Sequence, residues 1–498
     1  MIFQVPLLKD ALHQPRCPDR LFIGGEWIAP ATSARLDIIS PVSELKIASV
    51  PEAAPADIDR AVAAARRAFD TGPWPRLSPN ERAAKLRAFA AALSERAEAM
   101  SYLWTLEAGA PQFFASRVSM GVGMMAGYYA DLAESHAFVE LRERAFGGGY
   151  AAIAREPVGV VAAVVPWNAP IFLAMIKLAP ALAMGCTVVV KPAPETPLDA
   201  YILGECAEAA GLPAGTVNIV AAGRESSDHL IRHPGIDKVA FTGSSATGTH
   251  IMKACADRLA RVTLELGGKS AGIILDDIAV EDAVPGVLGQ VIGNCGQACV
   301  TLSRILVPRR RQADYADAFS QAFGRVKIGD PFDTESQIGT LAMKRQFERV
   351  NDYVAIGKAE GARLVCGGGR PASIDRGYFF EPTLFAHATN DMRIAREEIF
   401  GPVITMIPYD SEDEAIAIAN DSDYGLHGAL FTHDVDKGYA LARQIRTGNI
   451  GFSDNTLDLT MPFGGFKRSG LGREGGPEGL AAYTETKTIY LPSRPRAL

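Results

Sequence analysis

The feature that most constrains this chain is a repeated alternation of buried-type runs with helix-like segments, beginning near residue 151. Val158–Val165 carries no polar side chain, as a strand covered on both faces should. Thr187–Val190 reads as a second strand, and Val217–Ala221 and Lys238–Phe241 as two more. Between them, Pro197–Ala210 reads as a helix, with Thr196 expected to cap its start and Gly211 and Pro213 to close it. Strands of this kind alternating with helices imply βαβ units in a parallel sheet, so the fold class is α/β. A second alternating region extends from Thr263 to about Asp454. Glycine-rich punctuation fills Phe463–Gly476, and Thr486–Pro492 reads as one more strand. Upstream, residues 57–70 and 81–100 are Ala-rich with helical spacing. Leu86, Phe89 and Leu93 share one face there, while Arg82, Lys85 and Arg87 fall mostly off it. Ser78, Pro79 and Glu81 take the N-cap, first and third positions of a capping box.

A chain of 498 residues with 48% apolar composition can bury large cores without disulfide or metal staples. At roughly 150 residues per domain, about three domains are expected. The net charge of −7 argues against nucleic acid and anionic membranes as partners. Seven cysteines, an odd number without paired CxxC motifs, fit a reducing compartment. The N-terminal stretch lacks a basic segment followed by a long apolar one. The longest apolar stretches are interrupted by Pro166, Asn168, Pro170, Lys177 and Pro180, so neither reads as a membrane span. A cytoplasmic protein is therefore expected. Eight histidines show no HExxH and no clustered pair, so no metal is expected.

Four short segments carry candidate chemistry. Gly293–Val300 reads GNCGQACV and lies between a helical segment and an apparent strand at Thr301–Val307. Cys299 there is either a small buried hydrophobe or a nucleophile, whose reactive form is the thiolate. Thr263–Gly268 reads TLELGG, in which Glu265 is either a paired core charge or a general base. Pro166-Trp167-Asn168 follows the first buried run. Asn168 either makes a turn or aims an N–H at a developing oxyanion, and Trp167 is compatible with simple packing. Phe241–Gly248 reads FTGSSATG after a strand, and Gly243, Ser244 and Gly248 suit a turn whose N–H groups meet a phosphate. Gly470–Gly475 matches GxGxxG, but no buried strand feeds it, and it reads as a structural turn.

Taken in order, PWN, KPAPETP, FTGS, LELGGKS, GQAC, EEIFGPV and PFGGFKRSG resemble the aldehyde dehydrogenase superfamily, in its hydrolytic, NAD(P)-dependent, non-CoA-acylating form. The resemblance extends from about Leu21 to Pro492. It implies Cys299, rather than Cys295, as nucleophile. Glu265 becomes the general base for thioester hydrolysis, and Asn168 and the Cys299 N–H become the oxyanion hole. For the cofactor it implies Trp167, Lys191, Gly243, Ser244, Glu398 and Phe400. Many NAD-preferring relatives place a glutamate three residues after the motif lysine; here Pro194 stands there and Glu195 follows it. Glu195 is accordingly taken as a cofactor contact. No arginine is evident to replace the missing carboxylate, so NAD is expected, with NADP left open. Tunnel positions of the family correspond to Ala169, Leu173, Ile176, Gly293 and Leu457. These are apolar and point to a medium-sized terpenoid, aromatic or medium-chain aliphatic aldehyde. A semialdehyde or betaine-type aldehyde is the alternative, followed by a CoA-acylating enzyme or a non-catalytic relative. The implied fold is a Rossmann-like NAD(P)-binding domain (1–139 and 156–262), an α/β catalytic domain (263–454) and a small β oligomerisation arm with the C-terminal strand (140–155 and 455–498). A homodimer or homotetramer is implied.

Overall fold

Two parallel sheets account for the two alternating regions. The structure is a computed structural model and describes residues 13–453 and 458–496. In space the first sheet runs Gly470–Leu471, Arg261–Glu265, Lys238–Thr242, Val160–Val164, Thr187–Lys191, Val217–Ile219, Leu21–Ile23 and Glu26–Ile28. The five strands from Arg261–Glu265 to Val217–Ile219 are mutually parallel, and the outer ones attach antiparallel. The run at 160–164 is apolar throughout because both its faces are covered. Val161 and Ala163 pack with Leu86, Phe89, Ile171 and Leu203 on one side. Val160, Ala162 and Val164 pack with Ala61, Val62 and Ile251 on the other. Truncating Leu86 or Phe89 to alanine costs about 2–5 kcal/mol at fully buried sites of this kind.

The second sheet runs Arg363–Cys366, Thr383–Ala386, Val403–Tyr409, Leu302–Pro308, Ser270–Ile274, His427–Phe431 and Asn449–Phe452. All neighbours are parallel except the antiparallel edge pair at Arg363–Cys366. A third sheet has three antiparallel strands, Val139–Glu143, Tyr150–Pro157 and Thr484–Leu491. No helix among the described residues is long and apolar enough to cross a membrane.

The structure adjusts several expectations. A division at residues 262/263 would cut the strand Arg261–Glu265, which belongs to the first sheet. Of the described residues 458–496, only Thr484–Leu491 joins the three-stranded sheet, and Gly470–Leu471 returns to the first. The capping box forms: Glu81 N–H donates to Ser78 Oγ at 3.3 Å, and Ser78 N–H to Glu81 Oε2 at 2.8 Å. The helix it starts ends at Glu95, and a separate one covers Ala97–Ala108. Arg82 is buried rather than facing solvent, because its guanidinium satisfies the carbonyls of Ala183 (3.1 Å) and Leu77 (2.5 Å). Thr196 does not cap the next helix, Leu198–Ala209; its hydroxyl is buried without a partner. The Leu198 N–H donates instead to Glu107 Oε1 at 3.1 Å, a remote carboxyl doing the work of a local cap.

Candidate active site

The parallel strands of the first sheet reverse their order between Val160–Val164 and Lys238–Thr242. A crevice opens at such a switch point, outside the carboxyl ends of the strands. The segments leaving those two strands are Pro166-Trp167-Asn168 and Gly243-Ser244, which is why these motifs meet. The second sheet presents the opposite ends of its strands. Gly267-Gly268, Cys299 and Glu398–Gly401 all lie just before strands Ser270–Ile274, Leu302–Pro308 and Val403–Tyr409.

Two glycines join these segments. A Cβ on Gly267 would lie 2.5 Å from Glu398 Oε2, and one on Gly268 would lie 2.4 Å from the Cys299 carbonyl oxygen. Only bare backbone admits that approach. The Gly268 N–H then donates to Glu398 Oε1 at 2.9 Å. LELGG, GQAC and EEIFGPV are thereby held against one another, with Glu265 two residues before the contact.

Asn168 is buried, and its Nδ2 donates to the Gln297 carbonyl at 2.9 Å. Asn294 Nδ2 donates back to the Asn168 carbonyl at 2.7 Å. Gln297 is itself anchored, accepting from the Ala342 N–H at 2.9 Å. The loop ahead of Cys299 carries Asn294 and Cys295 in the left-handed region, at φ 48° and 58°. Cys295 is buried, whereas Cys299 is partly open. The site thus offers one accessible thiol, with a rigidly held amide beside its loop. The amide has a second N–H to give. Asn294 and Gln297 are anchoring residues that sequence reasoning missed, although both stand inside the quoted motif.

Glu265 ends the strand Arg261–Glu265 and is 3% exposed, with neither carboxylate oxygen hydrogen-bonded. Burial first, then the nearby Glu474 carboxylate, holds its pKa well above the ordinary range; Lys177 and Arg473 oppose this. Lys177 and Glu474 form a buried ion pair at 2.6 Å, and the ammonium also donates to Thr242 Oγ1 at 2.6 Å. Neither charged residue was singled out in the sequence. The GLGREG turn does prove structural: Gly470 pairs antiparallel with Glu265, and its Glu474 supplies the ion pair. The Cys299 thiol is pushed up to about 12 by burial and by the Glu398 and Glu265 carboxylates, against the pull of the Cys299 and Val300 N–H groups. A thiol in this state needs a base to become a nucleophile.

The crevice also gathers the expected cofactor contacts. Ser244 is exposed and N-caps the helix Ser245–Ala256, accepting from the Thr247 N–H at 3.2 Å. Lys191 is buried at the end of the neighbouring strand, and burial draws its amine down to about 8. Phe400 adopts a left-handed backbone, φ 63°, and its ring meets Trp167 edge-on at 5.4 Å. Its loop is held by Gln346, whose Nε2 donates to the Phe400 carbonyl at 2.6 Å. An open helix N-terminus, a lysine and a carboxylate opposite an aromatic pair suit the pyrophosphate, ribose and ring of a dinucleotide. One expectation changes here: an arginine does stand beside Glu195, since Arg345 reaches its Oε1 at 2.6 Å.

Of the expected substrate positions, Ala169 is partly exposed and packs with Trp167 and Phe114. Among the described residues, a Cβ on Gly293 would meet only Phe114, at 3.8 Å. Leu173 is half-buried and Ile176 is sunk in the first core, 3% exposed. Leu457 lies outside the described residues. Phe114 was not foreseen, because its helix, Gln112–Ser135, is remote in sequence.

His229 and His233 do come together, contrary to the expectation of scattered histidines. Their Nε2 atoms lie 2.6 and 3.4 Å from Asp59 Oδ1. The Gly235 N–H donates to His233 Nδ1, which leaves the neutral ring's proton on Nε2, facing the carboxylate. Asp59, His229 and His233 thus form a compact surface group whose ligand-type atoms all lie within 4.8 Å of one another.

Comparison with known proteins covers the same extent of chain. The sequence model described as the aldehyde dehydrogenase family matches residues 27–489. A geranial dehydrogenase of Castellaniella defragrans is 45% identical over 472 residues, 95% of this chain and 98% of that one. A crystal structure of a Mycobacterium tuberculosis aldehyde dehydrogenase complexed with NAD+ superposes with a TM-score of 0.93 at 47% identity, covering 95% of this chain and 98% of that chain. A mutant aldehyde dehydrogenase C from Pseudomonas syringae, in complex with NAD+ and octanal, gives 0.92 at 38% identity, covering 96% and 97%.

Proposed function

The chain belongs to the aldehyde dehydrogenase family, and from that premise we propose that it oxidises a medium-sized apolar aldehyde to its carboxylic acid with NAD. What supports this reading is that Glu265 acts on the Cys299 thiol, the two held by the Gly267–Gly268 approach, while Asn168 donates into the Gln297 loop just before Cys299. The Cys299 thiol, high in pKa at rest, releases its proton to water as its sulfur bonds the aldehyde carbon. The carbonyl oxygen becomes an oxyanion, met by Asn168 Nδ2 and the Cys299 N–H. Residues such as Lys191, Ser244 and Glu398 would hold the NAD that accepts the hydride, and loss of that hydride from the thiohemiacetal leaves a thioester on Cys299. Glu265 then takes a proton from water, the hydroxide adds to the thioester carbon, and the C–S bond breaks to release acid and thiol. Both carboxyl oxygens of Glu265 are buried without a hydrogen-bond partner among the described residues, which leaves them unspent for a proton transfer.

The apolar-substrate reading rests on the partly exposed Ala169, the half-buried Leu173, and Phe114, the described side chain nearest a Cβ at Gly293. The relative named for geranial and the neighbour holding octanal support this choice. A carboxylate-bearing aldehyde would have to desolvate its charge against this wall. Each added CH₂ that is buried contributes about 0.8 kcal/mol. A kcat/KM series over rising chain length tests the substrate class; acetaldehyde or succinic semialdehyde outperforming every larger apolar aldehyde would overturn it. The three-stranded sheet is proposed as an arm that pairs with a second copy, since Val139, Ile489 and Tyr490 are exposed on it. Sedimentation after truncating residues 484–498 would then report a smaller species.

A further inference from the structure

The adenosine end of the crevice holds a charge arrangement that the catalytic reading does not use. The strand Thr187–Lys191 ends on Lys191, and the loop that follows contains Pro192, Pro194 and Pro197. Prolines at three of six positions restrict the backbone, so the Glu195 side chain leaves from a stiff base. Its carboxylate lies near Lys191, whose charged form it favours, and pairs with Arg345 at 2.6 Å. Arg345 belongs to the helix Lys344–Ala359 in the other α/β body. The same helix holds the far end of the crevice: Gln346 and Arg349 donate to the carbonyls of Ile399 and Phe400. The two bodies are therefore bridged twice over one cleft, by the Trp167–Phe400 rings and by the Glu195–Arg345 ion pair.

The two bridges differ in kind. Arg345 is 65% exposed and Glu195 20%, so their pair is wet and readily exchanged. In dinucleotide crevices at strand-order reversals, an acidic side chain takes the ribose 2′-hydroxyl and an arginine accommodates a 2′-phosphate. Here one carboxylate stands between two cations, Lys191 and Arg345. A guanidinium binds phosphate through paired N–H groups and is strong in that role once it is free.

We propose that the Glu195–Arg345 pair sets the choice between a 2′-hydroxyl and a 2′-phosphate on the cofactor ribose. Glu195 receives the hydroxyl and repels the phosphate, and it also keeps Arg345 engaged. Arg345 is the cation that a 2′-phosphate recruits when Glu195 lets go. This inference rests on the dinucleotide reading of the crevice given above, and deepens it.

Calorimetric binding of 5′-AMP and of adenosine 2′,5′-bisphosphate to the full-length wild type, Glu195→Gln, Arg345→Gln and the double variant tests it without turnover. The affinity ratio of bisphosphate to 5′-AMP should rise by about tenfold or more in Glu195→Gln. It should fall below wild type in Arg345→Gln, and the double variant should lose the gain. Arg345→Lys, which keeps the charge but not the fork, should retain only part of it. The kcat/KM ratio of NADP to NAD should move in the same order. A ratio unmoved by Glu195→Gln, or a gain that survives loss of Arg345, overturns the proposal while leaving the dinucleotide reading intact. Failure of 5′-AMP and NAD to bind the folded wild type would overturn both.

Discussion

Glu265 with Glu474, and Glu107 with Asp199, are two buried carboxyl groupings that the first α/β body treats differently. The first includes a cation: Lys177 pairs with Glu474 and also favours the ionised form of Glu265. The second has none. Glu107 and Asp199 are each 1% exposed, and burial holds both acids high, Asp199 at about 8, with the Asp199 carboxyl raising Glu107 further. Both have backbone N–H donors, but each keeps one oxygen without a partner. Burial alone therefore does not make a base. A buried acid with an ammonium nearby can carry charge and exchange it with substrate. One without it keeps its proton and serves as a hydrogen-bonded joint, here between the helices Ala97–Ala108 and Leu198–Ala209.

The comparison can be broken experimentally, starting with the largest effect. Cys299→Ala should abolish aldehyde oxidation, whereas Cys295→Ala should retain turnover if it folds; the reverse pattern would move the chemistry away from the Glu265 grouping. Glu265→Gln should acylate once and stop, giving a burst of reduced cofactor in rapid mixing and a trapped thioester in intact mass. Full steady-state turnover in that variant would remove Glu265 from its role. Asn168→Ala should slow the acylation step by about 10²–10³-fold, the usual loss of one oxyanion donor.

Smaller effects sharpen the contrast. Lys177→Met strips the cation from a buried carboxylate and should cost about 3–5 kcal/mol in denaturant unfolding. Because Lys177 lowers the Glu265 pKa, its loss should also move the acidic limb of the kcat profile to higher pH. A destabilised variant with an unmoved limb would separate folding from base tuning. The smallest effect belongs to the other grouping. Its folded pKa values are raised, so its contribution is fully present below the unfolded values and is lost as pH rises, for Asp199 between 3.8 and about 8. Glu107→Gln keeps an oxygen for the Leu198 N–H but removes one titration. Its stability should decline less over that window, by about 1 kcal/mol or more. An identical decline in both proteins would show that the pair does not titrate.

The proposed reaction centre was legible because its members stand in short motifs with glycine beside them. Cys299, Glu265 and Asn168 each had a bland reading, and order along the chain favoured the chemical one. Contacts with no local signature were not legible. Lys177 and Glu474 are separated by 297 positions, and nothing near either announces the other. Arg345 was missed beside Glu195 for the same reason, as was the Glu107 carboxyl that replaces Thr196 as a cap. The helix face at Arg82 misled because long side chains can bury their stems and spend their donors on backbone carbonyls. The sheet boundary at 263 misled because a strand ending in a charged residue looks like the start of something new. In fact Glu265 is the last residue of the strand Arg261–Glu265 of the first sheet, just ahead of Gly267 and Gly268.

The close approach at Gly267 and Gly268 has a consequence for how this protein can change. The spacing of Cys299 and the Glu398 carboxylate is set by the bare backbone of Gly267 and Gly268, which have no side chain to trim or lengthen. Single substitutions can damage that spacing but have no graded way to retune it. The wall around Gly293 is the opposite: among the described residues, a methyl group there meets nothing nearer than Phe114 at 3.8 Å. Heritable variation in substrate range therefore has an open route that leaves the reaction itself untouched. A library randomised at Phe114, Ala169, Leu173 and Gly293 should be rich in active members with new preferences, and one randomised at the glycine pair should be nearly barren.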